Sequence, residues 1–66
     1  MKLVINGKPR DVESARTISE LLQEMGLSPQ GLAVEANGTL LSARDFERTE
    51  LAEGDELELV RLVGGG

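Results

Sequence analysis

Apolar and polar residues alternate over the first positions, with Met1, Leu3 and Ile5 on one side and Lys2, Val4 and Asn6 on the other. That period of two marks a strand with one buried face. Asn6-Gly7 follows and supplies the positive φ values of a two-residue hairpin turn, so Lys8 to Glu13 should return as a second strand with Val12 directed inward. Pro9 has no N–H to give a ladder, which places this strand at a sheet edge. The period then changes. Thr17-Ile18-Ser19-Glu20 has the form of a capping box, in which the Thr17 hydroxyl bonds the amide of Glu20 and the Glu20 carboxylate reaches back to that of Thr17. Ile18, Leu21, Leu22 and Met25 fall at i, i+3, i+4 and i+7, a single helical stripe. Gly26 supplies the left-handed stop, Leu27 the accompanying apolar contact, and Pro29 prevents resumption. A helix of about nine residues is not stable alone in water, so its stripe has to pack on a sheet.

The second half repeats the strand pattern. Gly31 to Ala36 reads as a third strand with Leu32 and Val34 on one face, Asn37-Gly38 as a second hairpin turn, and Thr39 to Leu41 as a short fourth strand. From Ser42 the period is lost. Ser42 to Asp45 can form one helical turn carrying Phe46, an apolar plug for one end of the core. Leu51 re-enters the core, Glu53-Gly54-Asp55 turns, and a last strand runs from Glu56 to about Leu62. Strand, strand, helix, strand, strand, short turn, strand is the order of an α+β fold of the β-grasp (ubiquitin-like) type. In that arrangement one helix packs across one face of a mixed four- to five-stranded sheet, with first and last strands paired in parallel at its centre. One domain is expected over residues 1–63, followed by a flexible C-terminal glycine tail, residues 64–66.

Composition narrows the chemistry. The 66 residues contain neither cysteine nor histidine, so disulfides and thiolate metal sites are excluded, as is any nucleophile-plus-base pair built on those side chains. A reducing, cytoplasmic setting fits. No apolar run approaches the roughly 18–20 residues of a membrane span, and the N-terminus lacks the layout of a secretory signal. The net charge is −5, and it is uneven. From Asp45 to Glu58 there are seven acids against one base, Arg48. Such a module repels nucleic acid and anionic membranes and suits a partner with a basic docking surface, although a solvated acidic face is the commoner use of such a cluster.

The last strand leads almost directly into Gly64-Gly65-Gly66. Three glycines without Cβ atoms can thread a narrow channel. Counted from Leu62, the remaining residues reach roughly 13–14 Å when extended. A frayed tail or a linker remnant would read the same way in isolation. Taken with the opening Met1-Lys2-Leu3-Val4-Ile5-Asn6-Gly7, the helix Thr17 to Leu22, Val34-Glu35-Ala36-Asn37-Gly38 and the turn Glu53-Gly54-Asp55-Glu56, it makes the whole chain resemble a known family. This is the family of small ubiquitin-like sulfur carriers of prokaryotes, and most closely its members serving thiamin (thiazole) biosynthesis. One departure is that the family needs two terminal glycines and this chain has three; Gly66 is then the reactive end, Gly65 the second motif position and Gly64 extra tether. Phe46 also stands where a larger aromatic is expected.

The resemblance implies a carrier rather than an enzyme, holding no cofactor of its own. A ubiquitin-activating-like adenylyltransferase using ATP and magnesium would adenylate the Gly66 carboxylate. A persulfide sulfur, from a cysteine desulfurase or another sulfur donor, would then displace AMP, and the resulting thiocarboxylate would pass to thiazole synthase. When free, the carrier is expected to be a monomer. Three other readings remain open. These are a carrier for molybdopterin synthase or for cysteine synthesis, a ubiquitin-like modifier joined to lysine through Gly66, and an interaction domain with an idle tail.

A docking surface follows from the period of two. If Leu57 and Leu59 face the helix, Val60 and Leu62 face away from it, as does Val4 on the first strand. Those three would form an uncovered apolar patch near the tail unless a loop covers them. Glu56 and Glu58 would lie beside it as an acidic docking edge. The spacing of Glu53, Asp55, Glu56 and Glu58 fits no coordination loop, so no metal site is expected.

Overall fold

A computed structural model describes residues 1–63. The expected sulfur-bearing Gly66 and its tether, Gly64 and Gly65, lie outside the described residues. The chain forms β1 (Lys2–Ile5), β2 (Lys8–Asp11), α1 (Ile18–Glu24), β3 (Leu32–Ala36), β4 (Thr39–Leu41), a 3-10 turn (Ala43–Asp45) and β5 (Glu56–Arg61). All five strands join one sheet in the order β2-β1-β5-β3-β4. β1 and β5 run parallel, and the other pairs are antiparallel. This is the expected mixed sheet, with the last strand at its centre and the proline-bearing β2 at one edge.

Both hairpins turn on Asn-Gly, with φ of 51° and 81° at Asn6 and Gly7 and of 50° and 85° at Asn37 and Gly38. Positive φ at both central positions matches the turn twist to the strand twist. The helix is capped at both ends. Thr17 Oγ1 accepts from the Glu20 amide at 3.2 Å. The reciprocal half of the box differs from expectation: the Glu20 carboxylate accepts from the Arg16 amide at 2.7 Å, one residue earlier than Thr17. Thr17 is instead held in a bridge to Glu50, and the segment Phe46 to Leu51 docks there, its Thr49 and Phe46 carbonyls accepting from the Ile18 and Ser19 amides. The orphan donors of the first helical turn are therefore satisfied by tertiary contacts. At the other end Gly26, with φ of 73°, closes the helix as expected: its amide donates to Gln23 and that of Leu27 to Leu22.

The core lies between α1 and one sheet face. Leu3, Ile5, Val34 and Leu57 come from the sheet and Ile18, Leu21 and Leu22 from the helix, with Val12, Leu51 and Phe46 closing the ends. Phe46 is 2% exposed, which fits the plug role. It is held by the 3-10 turn, where the Ser42 hydroxyl donates to the Asp45 carboxylate at 2.7 Å and the Ser42 amide donates to the same oxygen at 3.2 Å. These bonds, led by the hydroxyl and helped by Arg48 and Arg44, hold the Asp45 carboxyl below its ordinary pKa against a smaller opposing desolvation.

A domain of this length has a total stability of roughly 3–10 kcal/mol. Leu21→Ala, at a fully buried position, should cost about 2–5 kcal/mol, a large share of that total, visible in urea as a clearly lowered midpoint. A carboxyl made more acidic by folding stabilises the fold fully above its unfolded pKa and loses that effect as pH falls through the lower folded value. The Asp45 contribution is accordingly present above about pH 4 and fades below it. Ser42→Ala should move the Asp45 titration upward, toward its ordinary value, when the carboxyl carbon is followed by NMR.

Candidate functional site

β5 is the strand that the glycine tail follows in the sequence, so the candidate site is built around it. On the helix-facing side Leu57 is buried and Leu59 half-buried, while Glu56, Glu58 and Val60 are exposed on the opposite face. The strand thus alternates as the period of two requires. Leu62, just past the strand, keeps the alternation and is 58% exposed, beside Val60 at 53%. Its amide donates to the Gly31 carbonyl at 2.7 Å, so pairing with the β3 side continues to the last described residues.

Val4 requires a correction. It shares the outer face with Val60 and Leu62, but it is half-buried, and it stands level with Glu56 on β5 and with Pro9 on β2. Val60 is four residues further along β5, about 13 Å away, and its neighbour is Ala33 on β3. The three valine and leucine side chains therefore do not form one patch. The reason is the length of β1, which turns away at Asn6 and leaves the tail-proximal half of β5 without a β1 neighbour.

Between the two apolar ends lie the acids. Glu58 is paired directly with Glu35 of β3, and Glu35 with the exposed Leu40 of β4. Glu35, Glu56 and Glu58 line one shallow groove with Asn37 and Gly38. Among the described residues no cation lies within ion-pair distance of these three; the one ion pair is Lys2–Asp11, at 4.0 Å. Like charges facing each other across a ladder are destabilising. Glu56 and Glu58 are thus where the sequence pattern puts them, and the pairing register adds Glu35 and Leu40. The alternation within each strand carried no signal for that addition, since it does not say which strand lies beside which. Among the described residues no group of three or more acids is arranged to hold a metal ion.

A second addition is the pair of turn asparagines. Asn37 accepts at Oδ1 from the Glu56 amide at 2.9 Å, its own amide donates to the Glu56 carbonyl at 2.8 Å, and its Nδ2 donates to Asp55 Oδ1 at 3.0 Å. Asn6 accepts at Oδ1 from the Leu59 amide at 2.8 Å and donates from Nδ2 to the Leu59 carbonyl at 3.3 Å. The Asn-Gly signal announces only the turns.

The central last strand, the single helix on one face and the tail leaving β5 form the setting in which comparison with known proteins becomes informative. Residues 3–66 match the model of the ThiS family. The chain belongs to the ThiS family. It is similar along its whole length to a crystal structure of the thiamine biosynthesis protein ThiS from Geobacter metallireducens, with 35% identity, full coverage of both chains and a TM-score of 0.84. The sulfur carrier protein ThiS of Thermus thermophilus is 37% identical over 62 residues, covering 94% of this chain and 95% of the relative. A thiazole synthase of Paramagnetospirillum magneticum is 38% identical over 66 residues, which are the whole of this chain but 20% of the relative. The chain thus spans about a fifth of the length of the thiazole synthases that it matches.

Val60→Asp tests whether the tail-proximal apolar end is surface rather than core. The substitution should move the thermal midpoint by no more than about 4 °C, because exposed positions change stability by about 0.5 kcal/mol or less. A collapse of the near-native spectrum in this variant would place Val60 in the core.

Proposed function

We propose that this ThiS-family chain is a sulfur carrier of thiamin biosynthesis that bears its sulfur on the carboxyl group of Gly66. The observation that carries the reading is that family similarity runs through the glycine tail, which continues directly from the central strand of the sheet. The chain has no cysteine or histidine with which to mobilise sulfur itself, so the chemistry falls to partners. A ubiquitin-activating-like adenylyltransferase would use ATP and magnesium to join the Gly66 carboxylate to AMP, releasing pyrophosphate. That step turns a resonance-stabilised anion into a mixed anhydride. The terminal sulfur of a persulfide, supplied by a cysteine desulfurase or a comparable donor, then attacks the acyl carbon and expels AMP. A thiol then attacks the donor's sulfur in the resulting acyl disulfide, forming a new disulfide with the donor and releasing the thiocarboxylate.

What the chain supplies is access and support. Glycines without Cβ atoms let the main chain approach a nucleotide closely, and a central strand bonded on both sides as far as Leu59 and on the β3 side as far as Leu62 anchors the chain ahead of the tether. Thiazole synthase is the proposed acceptor. This is supported by thiazole synthases of Paramagnetospirillum magneticum and Magnetococcus marinus that contain a segment similar to the whole of this chain. The outer sheet face, with Val60 and Leu62 near the tail, Glu58 behind them, and Glu56 level with Val4 at the far end, is the proposed docking side for such partners, and the cytoplasm the proposed compartment. No helix among the described residues is long and apolar enough to cross a membrane.

Incubation with the activating enzyme, ATP and a sulfur donor, followed by intact-mass measurement, tests the proposal. The expected gain is that of one oxygen replaced by sulfur, and a ladder of protein conjugates would instead identify a modifier. Deleting Gly65 and Gly66 should abolish the gain while leaving the unfolding midpoint close to that of the full chain.

A further inference from the structure

β1 ends at Ile5, yet β5 continues to Arg61. The parallel ladder between them runs through the Val4 amide to the Asp55 carbonyl and the Asn6 amide to the Leu57 carbonyl, both at 2.9 Å. The next pair of β5 groups facing that side belongs to Leu59, because main-chain groups alternate sides with the period of the strand. No backbone remains to meet them, since Asn6 has entered the turn with φ of 51°. Its side-chain carboxamide takes the place of the missing peptide group, with Oδ1 accepting from the Leu59 amide and Nδ2 donating to the Leu59 carbonyl. A carboxamide carries the same donor and acceptor as a peptide unit, so the ladder is extended by one rung without extending β1. Leu59 is the last residue of β5 held in this way on the β1 side.

We infer that Asn6 is a positioning residue for sulfur transfer: it holds the β1-facing flank of β5 at Leu59 while β3 holds the other flank through Leu62, and the two together set the direction in which the strand leads into the tail. This rests on the carrier reading given above. A tail whose origin is fixed enters a partner channel from a narrow set of directions. Loosening Leu59 lowers the fraction of molecules in that set and raises the apparent binding constant in proportion, without touching the step at Gly66.

Two variants separate the side chain from the turn. Asn6→Gly keeps the positive φ at no steric cost and removes the carboxamide. Asn6→Asp keeps both length and turn but sets a second acceptor against the Leu59 carbonyl. In Asn6→Gly, which removes the acceptor, amide hydrogen exchange at Leu59 should quicken roughly two- to tenfold, the loss expected for a bond of ordinary strength, whereas Asn6→Asp keeps an acceptor for that amide and loses the bond to the Leu59 carbonyl. In thiocarboxylate formation the KM for the carrier should rise roughly three- to tenfold with kcat unchanged. Val12→Ala is the control: it opens the core at the opposite end of β1, and should cost at least as much thermal stability while leaving KM as it was. Equal KM changes in Val12→Ala and the Asn6 variants, a fall in kcat alone, or unaltered exchange at Leu59 in Asn6→Gly would each overturn the inference. If the unsubstituted chain takes up no sulfur, the carrier reading falls and the positioning role falls with it. Exchange at Leu59 then still decides whether the clamp exists.

Discussion

The structure depends on β5 being gripped from both sides. It is the last strand in sequence and the middle one in space, so the sheet is incomplete until the end of the chain is inserted between β1 and β3. Pairing Val4 with Glu56 closes a loop of almost the whole polypeptide, and the entropy of that closure has to be recovered by contacts made only when β5 arrives. Leu57 supplies much of this by filling the centre of the core, 1% exposed between sheet and helix. The two turn asparagines add main-chain mimicry at either end, Asn37 where the strand enters and Asn6 where it leaves.

This arrangement links stability to the proposed chemistry. A tail attached to an edge strand would share the fraying of that edge, whereas this one follows a central strand bonded on both flanks as far as Leu59 and on the β3 side as far as Leu62. The cost is borne on the outer face. Glu35 and Glu58 oppose each other across the ladder with Glu56 close by, and the folded monomer gains nothing from that juxtaposition. Apolar side chains at Val60, Leu62 and Leu40 remain in solvent around the acids. A face on which like charges oppose each other and apolar side chains stay in solvent adds nothing to the folding of the isolated chain, and is consistent with contact with a partner.

Much of the fold was legible because its signals are local. The two Asn-Gly turns, the Thr17 cap, the stripe from Ile18 to Met25 and the Gly26 stop each act over a few residues, and each appears where the pattern puts it. Pro9 at the edge and Phe46 in the core followed from single-residue physics. Where local reasoning erred, a distant segment had intervened. Glu20 caps Arg16 rather than Thr17, and Thr17 is bridged to Glu50 from the segment that follows the 3-10 turn. Val4 was grouped with Val60 on the strength of a shared face, whereas the parallel register sets it beside Glu56.

The sequence by itself determined the elements, the faces that β1, β3 and β5 bury and the glycine tail behind the last strand, since periodicity, turn chemistry and capping are written within short windows. Only the tertiary structure decided which acids face one another, how far β1 accompanies β5, and that two turn residues also serve as rungs of the sheet. Those features depend on register between segments far apart in the chain, from Asn37 and Glu56 to Val4 and Glu56, and no short window of sequence encodes the offset at which two strands align.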